Sequence, residues 1–124
     1  MTEFGLAQIG QIAVNVENLD VAVAFYRDTL GMKFLFQFPR LAFFDCAGVR
    51  LLLDQVDEWQ HPSSILYYKV ADIQATHQVL LERGVIFTDA PHLVAKMPDH
   101  DLWMAFFNDP AGNILALMSE IRDA

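Results

Sequence analysis

The strongest constraint on this chain is that one order of local signals runs through it twice. A β-branched segment, Ile9 to Val16 (IGQIAVNV), precedes Asn18, which stands where a helix N-cap belongs. Leu19, Ala22, Val23, Tyr26 and Leu30 then recur at helical spacing, and Gly31 occupies the position of a left-handed helix stop. Lys33 to Phe38 (KFLFQF) reads as a strand ended by Pro39, and Leu41 to Asp45 and Val49 to Asp54 flank Cys46-Ala47-Gly48 as a hairpin. After a polar linker, Trp59 to Ser64, the order returns. Ile65 to Val70 is a strand, Asp72 a cap, Ile73, Thr76, Val79 and Leu80 one helix face, and Gly84 its stop. Val85 to Asp89 runs into Pro91, and His92 to Met97 is a strand. Leu102 to Asn108 and Asn113 to Met118 flank a second turn, Asp109-Pro110-Ala111-Gly112. Val16 and Val70 stand 54 positions apart, as do Asn18 and Asp72; Gly48 and Gly112 stand 64 apart, so the second half carries about ten more residues before its hairpin.

Such a repeat predicts an α+β chain of two like units, with helices near 19–30 and 73–83. Module one spans about 7–56 and module two about 63–120 of a single domain covering 1–124. Neither half can bury the apolar face of its own sheet, so the two are expected to pack together and to cup a cavity between them.

Charge narrows the partners. Sixteen acidic against eight basic residues leave a formal charge of −8. No basic stripe is present to neutralise phosphates, so neither nucleic acid nor an anionic membrane surface is an expected partner. No apolar run approaches membrane-span length. The opening MTEFGLAQIG lacks the basic-then-apolar pattern of a secretory leader, and a lone Cys46 fits a reducing cytoplasm. Hydrophobic residues make up 54% of the chain, more than a monomer of this size needs, which predicts a lined cavity or a subunit interface.

Two runs resemble a known family. IGQIAVNVENLDVAVAFYRDTLGM, above all Phe25 to Met32, and FFNDPAGNILAL, Phe106 to Leu117, are similar to the first βα unit and the closing hairpin of the vicinal oxygen chelate superfamily. That superfamily includes glyoxalase I, extradiol dioxygenases, methylmalonyl-CoA epimerase, and bleomycin and fosfomycin resistance proteins. The resemblance covers nearly the whole chain and implies two βαβββ modules whose curved mixed sheets form a cupped cavity. It is specific for fold and weakly specific for reaction. It also implies frequent pairing of modules between chains, hence a homodimer.

In metal-dependent members the resemblance implies four ligands around one divalent ion, His or Gln on first strands and Glu on last strands. Carried onto this chain, those positions are Gln11, Leu52, Ile65 and Ala116. Only Gln11 offers a donor, so the expectation is no metal and no other cofactor.

Strand alternation from these positions places Gln11, Ala13 and Asn15, then Leu52, then Ile65, Tyr67 and Lys69, then Ile114, Ala116 and Met118 toward the cup. A simple pairing of the second hairpin adds Trp103, Ala105 and Phe107. This lining is apolar and aromatic with few polar handles. It suits either a small apolar or aromatic ligand or ordinary core packing. Candidate acid–base groups are Tyr67, His92 and His100, the last flanked by Asp99 and Asp101; each also has a purely structural reading. Arg40 and Arg50 suit either an anion at the cup rim or plain solvation. The expected function is a metal-free, small-molecule-binding member of this superfamily. The alternatives are a lyase, isomerase or dioxygenase of the same superfamily, using a metal or acid–base groups, and a structural module with a filled cup.

Overall fold

A computed structural model describes residues 11–58 and 64–122. In module one, β1 (Gln11–Val16) leads into α1 (Leu19–Ala24), then β2 (Lys33–Gln37), β3 (Leu41–Cys46) and β4 (Val49–Gln55). In module two, β5 (Leu66–Lys69) leads into α2 (Ile73–Glu82), then β6 (His92–Lys96), β7 (Asp101–Asn108) and β8 (Ile114–Ile121). Each module forms a four-stranded mixed sheet of the same order, β1-β4-β3-β2 and β5-β8-β7-β6. The first strand lies parallel to the last, and the other neighbours are antiparallel. The α+β architecture of two repeated units is as the sequence predicts. The linker residues 59–63, with His61, lie outside the described residues, as do Ile9 and Gly10 of the first expected strand.

Local chemistry sets the helix ends. The Asn18 side chain accepts from the Val21 N–H at 3.1 Å, and Asp72 accepts from the Ala75 N–H at 3.0 Å. At the far end of α2, Gly84 takes φ +89°. This lets the Val85 N–H reach the Leu80 carbonyl at 2.9 Å and the Gly84 N–H the Leu81 carbonyl at 3.0 Å, closing a Schellman turn. The first helix departs from the expected 19–30. After Ala24 it widens into a π-helical stretch, Phe25–Thr29, and the Leu30 N–H reaches back five residues to the Phe25 carbonyl at 2.9 Å. This widening sits at Tyr26, whose side chain is fully buried. The last strand also runs on to Ile121, beyond the expected Met118.

The core lies on the helix side of both sheets. Val14, Val16, Phe44, Leu51 and Leu53 pack with Leu19, Ala22, Val23 and Tyr26 of module one. They belong to the same buried cluster as Ile73, Leu80, Phe107, Leu115 and Leu117 of module two. The halves are joined by polar contacts as well. The Tyr26 hydroxyl donates to Asp109 Oδ2 at 2.9 Å, Asn113 Nδ2 donates to the Asn15 carbonyl at 2.8 Å, and the Arg83 guanidinium donates to the Thr29 carbonyl at 3.0 Å. Asp109 and Asn113 are both buried.

Two stability predictions follow from this arrangement. Phe107 is 1% exposed and Tyr67 46% exposed. Phe107→Ala is expected to cost about 3–5 kcal/mol and Tyr67→Ala about 0.5 kcal/mol in urea unfolding; comparable costs would contradict the assignment of faces. The second concerns alkaline pH. Burial first, then the Asp109 charge, pushes the Tyr26 hydroxyl pKa up; burial first, then Cys46 and Asp109, pushes Tyr68 up. The folded chain therefore keeps protons that the unfolded chain releases above pH about 10. Stability is fully present below that pH and falls above it, by up to about 1.4 kcal/mol per pH unit for each tyrosine. Tyr26→Phe is expected to lower stability at pH 7 by about 2 kcal/mol and to flatten the alkaline loss; an unchanged alkaline slope would show that Tyr26 does not carry it.

Candidate functional site: the open sheet faces

Cross-strand partners share a face, so the pairing pattern states which side chains turn away from the helices. On sheet one the open face reads in rows: Gln11, Arg50, Asp45 and Lys33; then Ala13, Leu52, Phe43 and Phe36; then Asn15, Asp54 and Leu41. On sheet two it reads Tyr67, Ala116 and Phe106; then Lys69, Met118, Met104 and His92; then Glu120, Leu102 and Ala95. Gln11, Ala13 and Leu52 of the expected set thus share the open face of one sheet, and Tyr67, Ala116 and Met118 that of the other. Ile65 directly precedes β5 and is exposed.

Trp103 and Phe107 must be corrected. Trp103 pairs with Ser119 and Phe107 with Leu115, both buried on the helix side, and Ala105 goes with them. The physical reason is the length of the turn. Asn108 pairs with Ile114, so five residues, Asp109 to Asn113, separate the strands. An odd-length turn opposes even-numbered residues to even-numbered ones. Ala116 therefore faces Phe106, and Met118 faces Met104. Phe106 and Met104 are the open-face residues that the simple pairing missed, and counting from the turn would have found them.

A β-bulge in β2 makes a second rearrangement. Phe34 pairs with Phe44 on the helix side, the strand then shifts by one residue, and Phe36 pairs with Phe43 on the open face. Module two repeats the device between Leu93 and Ala95. The outcome on sheet one is a cluster of three mutually packed rings. Phe36 and Phe43 have centroids 4.7 Å apart, Phe36 and Phe38 5.6 Å, and Phe38 and Phe43 6.3 Å. The Arg50 guanidinium lies over two of them, 5.8 Å from the Phe36 centroid and 5.4 Å from that of Phe43.

The three acid–base candidates do not meet. Tyr67 stands on β5 and His92 on β6, opposite edges of a four-stranded sheet and about 14 Å apart at the usual strand spacing. His92 Nδ1 lies 2.9 Å from the Ala90 carbonyl and 3.7 Å from Asp89 Oδ2. His100 sits in the turn between β6 and β7 with Nδ1 2.8 Å from Asp99 Oδ1. That hydrogen bond, followed by the charges of His100 and Arg122, holds the Asp99 carboxyl below the usual carboxylate range. These contacts tie each histidine to its own loop.

The four positions that a metal-dependent relative would use carry one donor, the Gln11 amide oxygen. Leu52, Ile65 and Ala116 carry alkyl groups. Ala116 is fully buried in its row between Tyr67 and Phe106, whose rings meet edge to face at 6.1 Å. Arg50, the β4 partner of Gln11, adds a fixed positive charge beside the one donor. This set does not fit a divalent ion, and among the described residues no group of three or more His, Cys, Asp or Glu side chains is placed to hold one.

A cavity of about 370 Å³ opens along the junction of the halves. Ile12, Met32, Cys46, Val49, Arg50 and Leu51 line it from module one, and Ile65 to Tyr68 from module two, so Arg50 and Tyr67 belong both to an open face and to this cavity. Of the expected lining only Ile65 and Tyr67 reach it. The Tyr68 hydroxyl is buried with no hydrogen-bond partner among the described residues. No helix among the described residues is long and apolar enough to cross a membrane.

Comparison with known proteins agrees with the doubled architecture. Residues 8–117 match the Glyoxalase/Bleomycin resistance protein/Dioxygenase superfamily. No curated protein matches the chain. Among solved structures, a lactoylglutathione lyase from Agrobacterium tumefaciens superposes with a TM-score of 0.78 at 21% identity, covering 93% of this chain and 95% of that one. A glyoxalase/bleomycin resistance protein/dioxygenase from Alicyclobacillus acidocaldarius gives a TM-score of 0.75 at 21% identity, covering 91% of each chain. A superfamily member from Sphaerobacter thermophilus gives 0.74 at 25% identity, covering 93% of this chain and 98% of that one. Likeness at these identities is one of fold, and reactions are not inherited with it. On the match across residues 8–117, the chain belongs to the glyoxalase/bleomycin resistance protein/dioxygenase superfamily.

Proposed function

We propose that this chain is a metal-free member of its superfamily that binds a small apolar or aromatic molecule on its open sheet faces, as a homodimer in the cytoplasm. The observation that carries this reading is Ala116. At the last-strand position where a relative would present a carboxylate, this chain has a methyl group buried between Tyr67 and Phe106. A dication there would be stripped of water without gaining ligands, at a cost that rules against binding. Apolar side chains support the ligand and the dimer together. Phe36, Phe38 and Tyr67 are each more than a third exposed. A second copy that covers part of this surface and leaves a lined space satisfies both. The lone Cys46 is consistent with a reducing compartment.

An enzyme of the same superfamily, a lyase, isomerase or dioxygenase, would need a metal or a proton-transferring pair. The separation of Tyr67 from His92 and the local ties of both histidines speak against the second route.

Elemental analysis of freshly purified protein is expected to give less than about one tenth of an equivalent of transition metal per chain. Gln11→Ala is expected to leave that content unchanged while weakening ligand binding. Near-stoichiometric metal lost on Gln11→Ala would overturn the reading. Light scattering at micromolar concentration is expected to give twice the chain mass; a monomer would remove the dimer.

A further inference from the structure

We propose that the open face of sheet one selects a planar aromatic carboxylate, with its ring on the Phe36, Phe38 and Phe43 cluster and its carboxylate on Arg50. The inference rests on the reading that this face binds a small molecule, and it names the chemical class.

Arg50 is the arginine whose guanidinium has no hydrogen-bond partner among the described residues. Arg27 is held by Asp28, Arg40 by Asp57 and the Gln55 carbonyl, Arg83 by the Thr29 carbonyl, and Arg122 by Glu120 and Asp99. Among the described residues Arg50 makes no hydrogen bond and no ion pair. Its contacts are the faces of Phe36 and Phe43. Asp45, its partner across β3, is engaged instead by the Gly48 N–H at 3.2 Å in the hairpin turn. The guanidinium thus lies on an aromatic platform with its planar fork of N–H donors open. That fork matches a carboxylate in two parallel hydrogen bonds.

The platform supplies the other half of the recognition. Phe38 is 53% exposed and Phe36 40% exposed, and the β2 bulge is what brings Phe36 to this face. A flat ring laid on them is desolvated on one side and stays within reach of Arg50. Gln11, the β1 partner of Arg50 on the same row, adds an amide that can donate to the second carboxylate oxygen. The net charge of −8 repels anions in general, but charges beyond about 8 Å are largely screened at physiological salt, so the row of Arg50, Asp45 and Lys33, two bases against one acid, sets the local field.

Isothermal titration of the full chain with 2-naphthoate and with its neutral analogue 2-naphthamide tests this. The wild-type protein is expected to bind naphthoate about tenfold more tightly. Arg50→Gln is expected to abolish that preference, bringing the two affinities together, and Phe36→Ala to weaken both probes. Equal binding of the two probes by the wild-type protein, or a preference that survives Arg50→Gln, overturns the carboxylate inference and leaves the small-molecule reading standing. Binding of neither probe overturns both. If Phe36→Ala dissolves the dimer and leaves naphthoate affinity unchanged, the platform belongs to a second copy and the inference falls.

Discussion

A buried carboxylate with no cationic partner among the described residues organises this fold. Asp109 accepts the Tyr26 hydroxyl at 2.9 Å, the Ala111 and Asn113 backbone N–H groups at 2.9 and 2.8 Å, and Asn113 Nδ2 at 2.9 Å. Taking a carboxylate out of water is costly unless donors replace its hydration, and here four do. Three come from its own turn, and so cost little entropy to hold. The Tyr26 hydroxyl comes from the other module, 83 residues away. Asn113 extends the junction by donating to the Asn15 carbonyl at the end of β1. The arrangement pins the second hairpin to the first helix, and one helix-side core then serves both sheets.

That choice of inner side determines what remains outside. With the helix faces buried together, the opposite faces are left open, and the paired bulges adjust which side chains reach them. In β2 the extra residue moves Phe36 from the inner face to the outer one, converting a third core ring into part of an aromatic platform under Arg50. On sheet two, Tyr67 and Phe106 enclose Ala116. The open faces of this scaffold present rings, one guanidinium and an amide.

How much of this was legible in the residues depended on the range of the interaction that decides each feature. Asn18, Asp72 and Gly84 act on neighbours within one turn, and their roles could be read directly. The FFNDPAGN run marked the family, but its chemistry required Tyr26, which no local pattern connects to Asp109. Trp103 and Phe107 went to the wrong face because one residue in the turn length inverts every side chain of β7 relative to β8. The bulge left no trace in KFLFQF, whose alternation predicts Phe34, Phe36 and Phe38 on one side. The widened helix turn at Phe25–Thr29 likewise follows from how Tyr26 is seated and has no composition of its own.

The proposed reading puts ligand contact on the open face of sheet one. It is tested most directly by intermolecular nuclear Overhauser effects from the ring protons of bound 2-naphthoate in the wild-type protein. Contacts are expected to the rings of Phe36, Phe38 and Phe43 and to the Arg50 side chain, and none to Phe34 or Phe44 on the inner face. Contacts confined to Leu66 and Tyr68 would move the ligand to the cavity at the junction of the halves and contradict it.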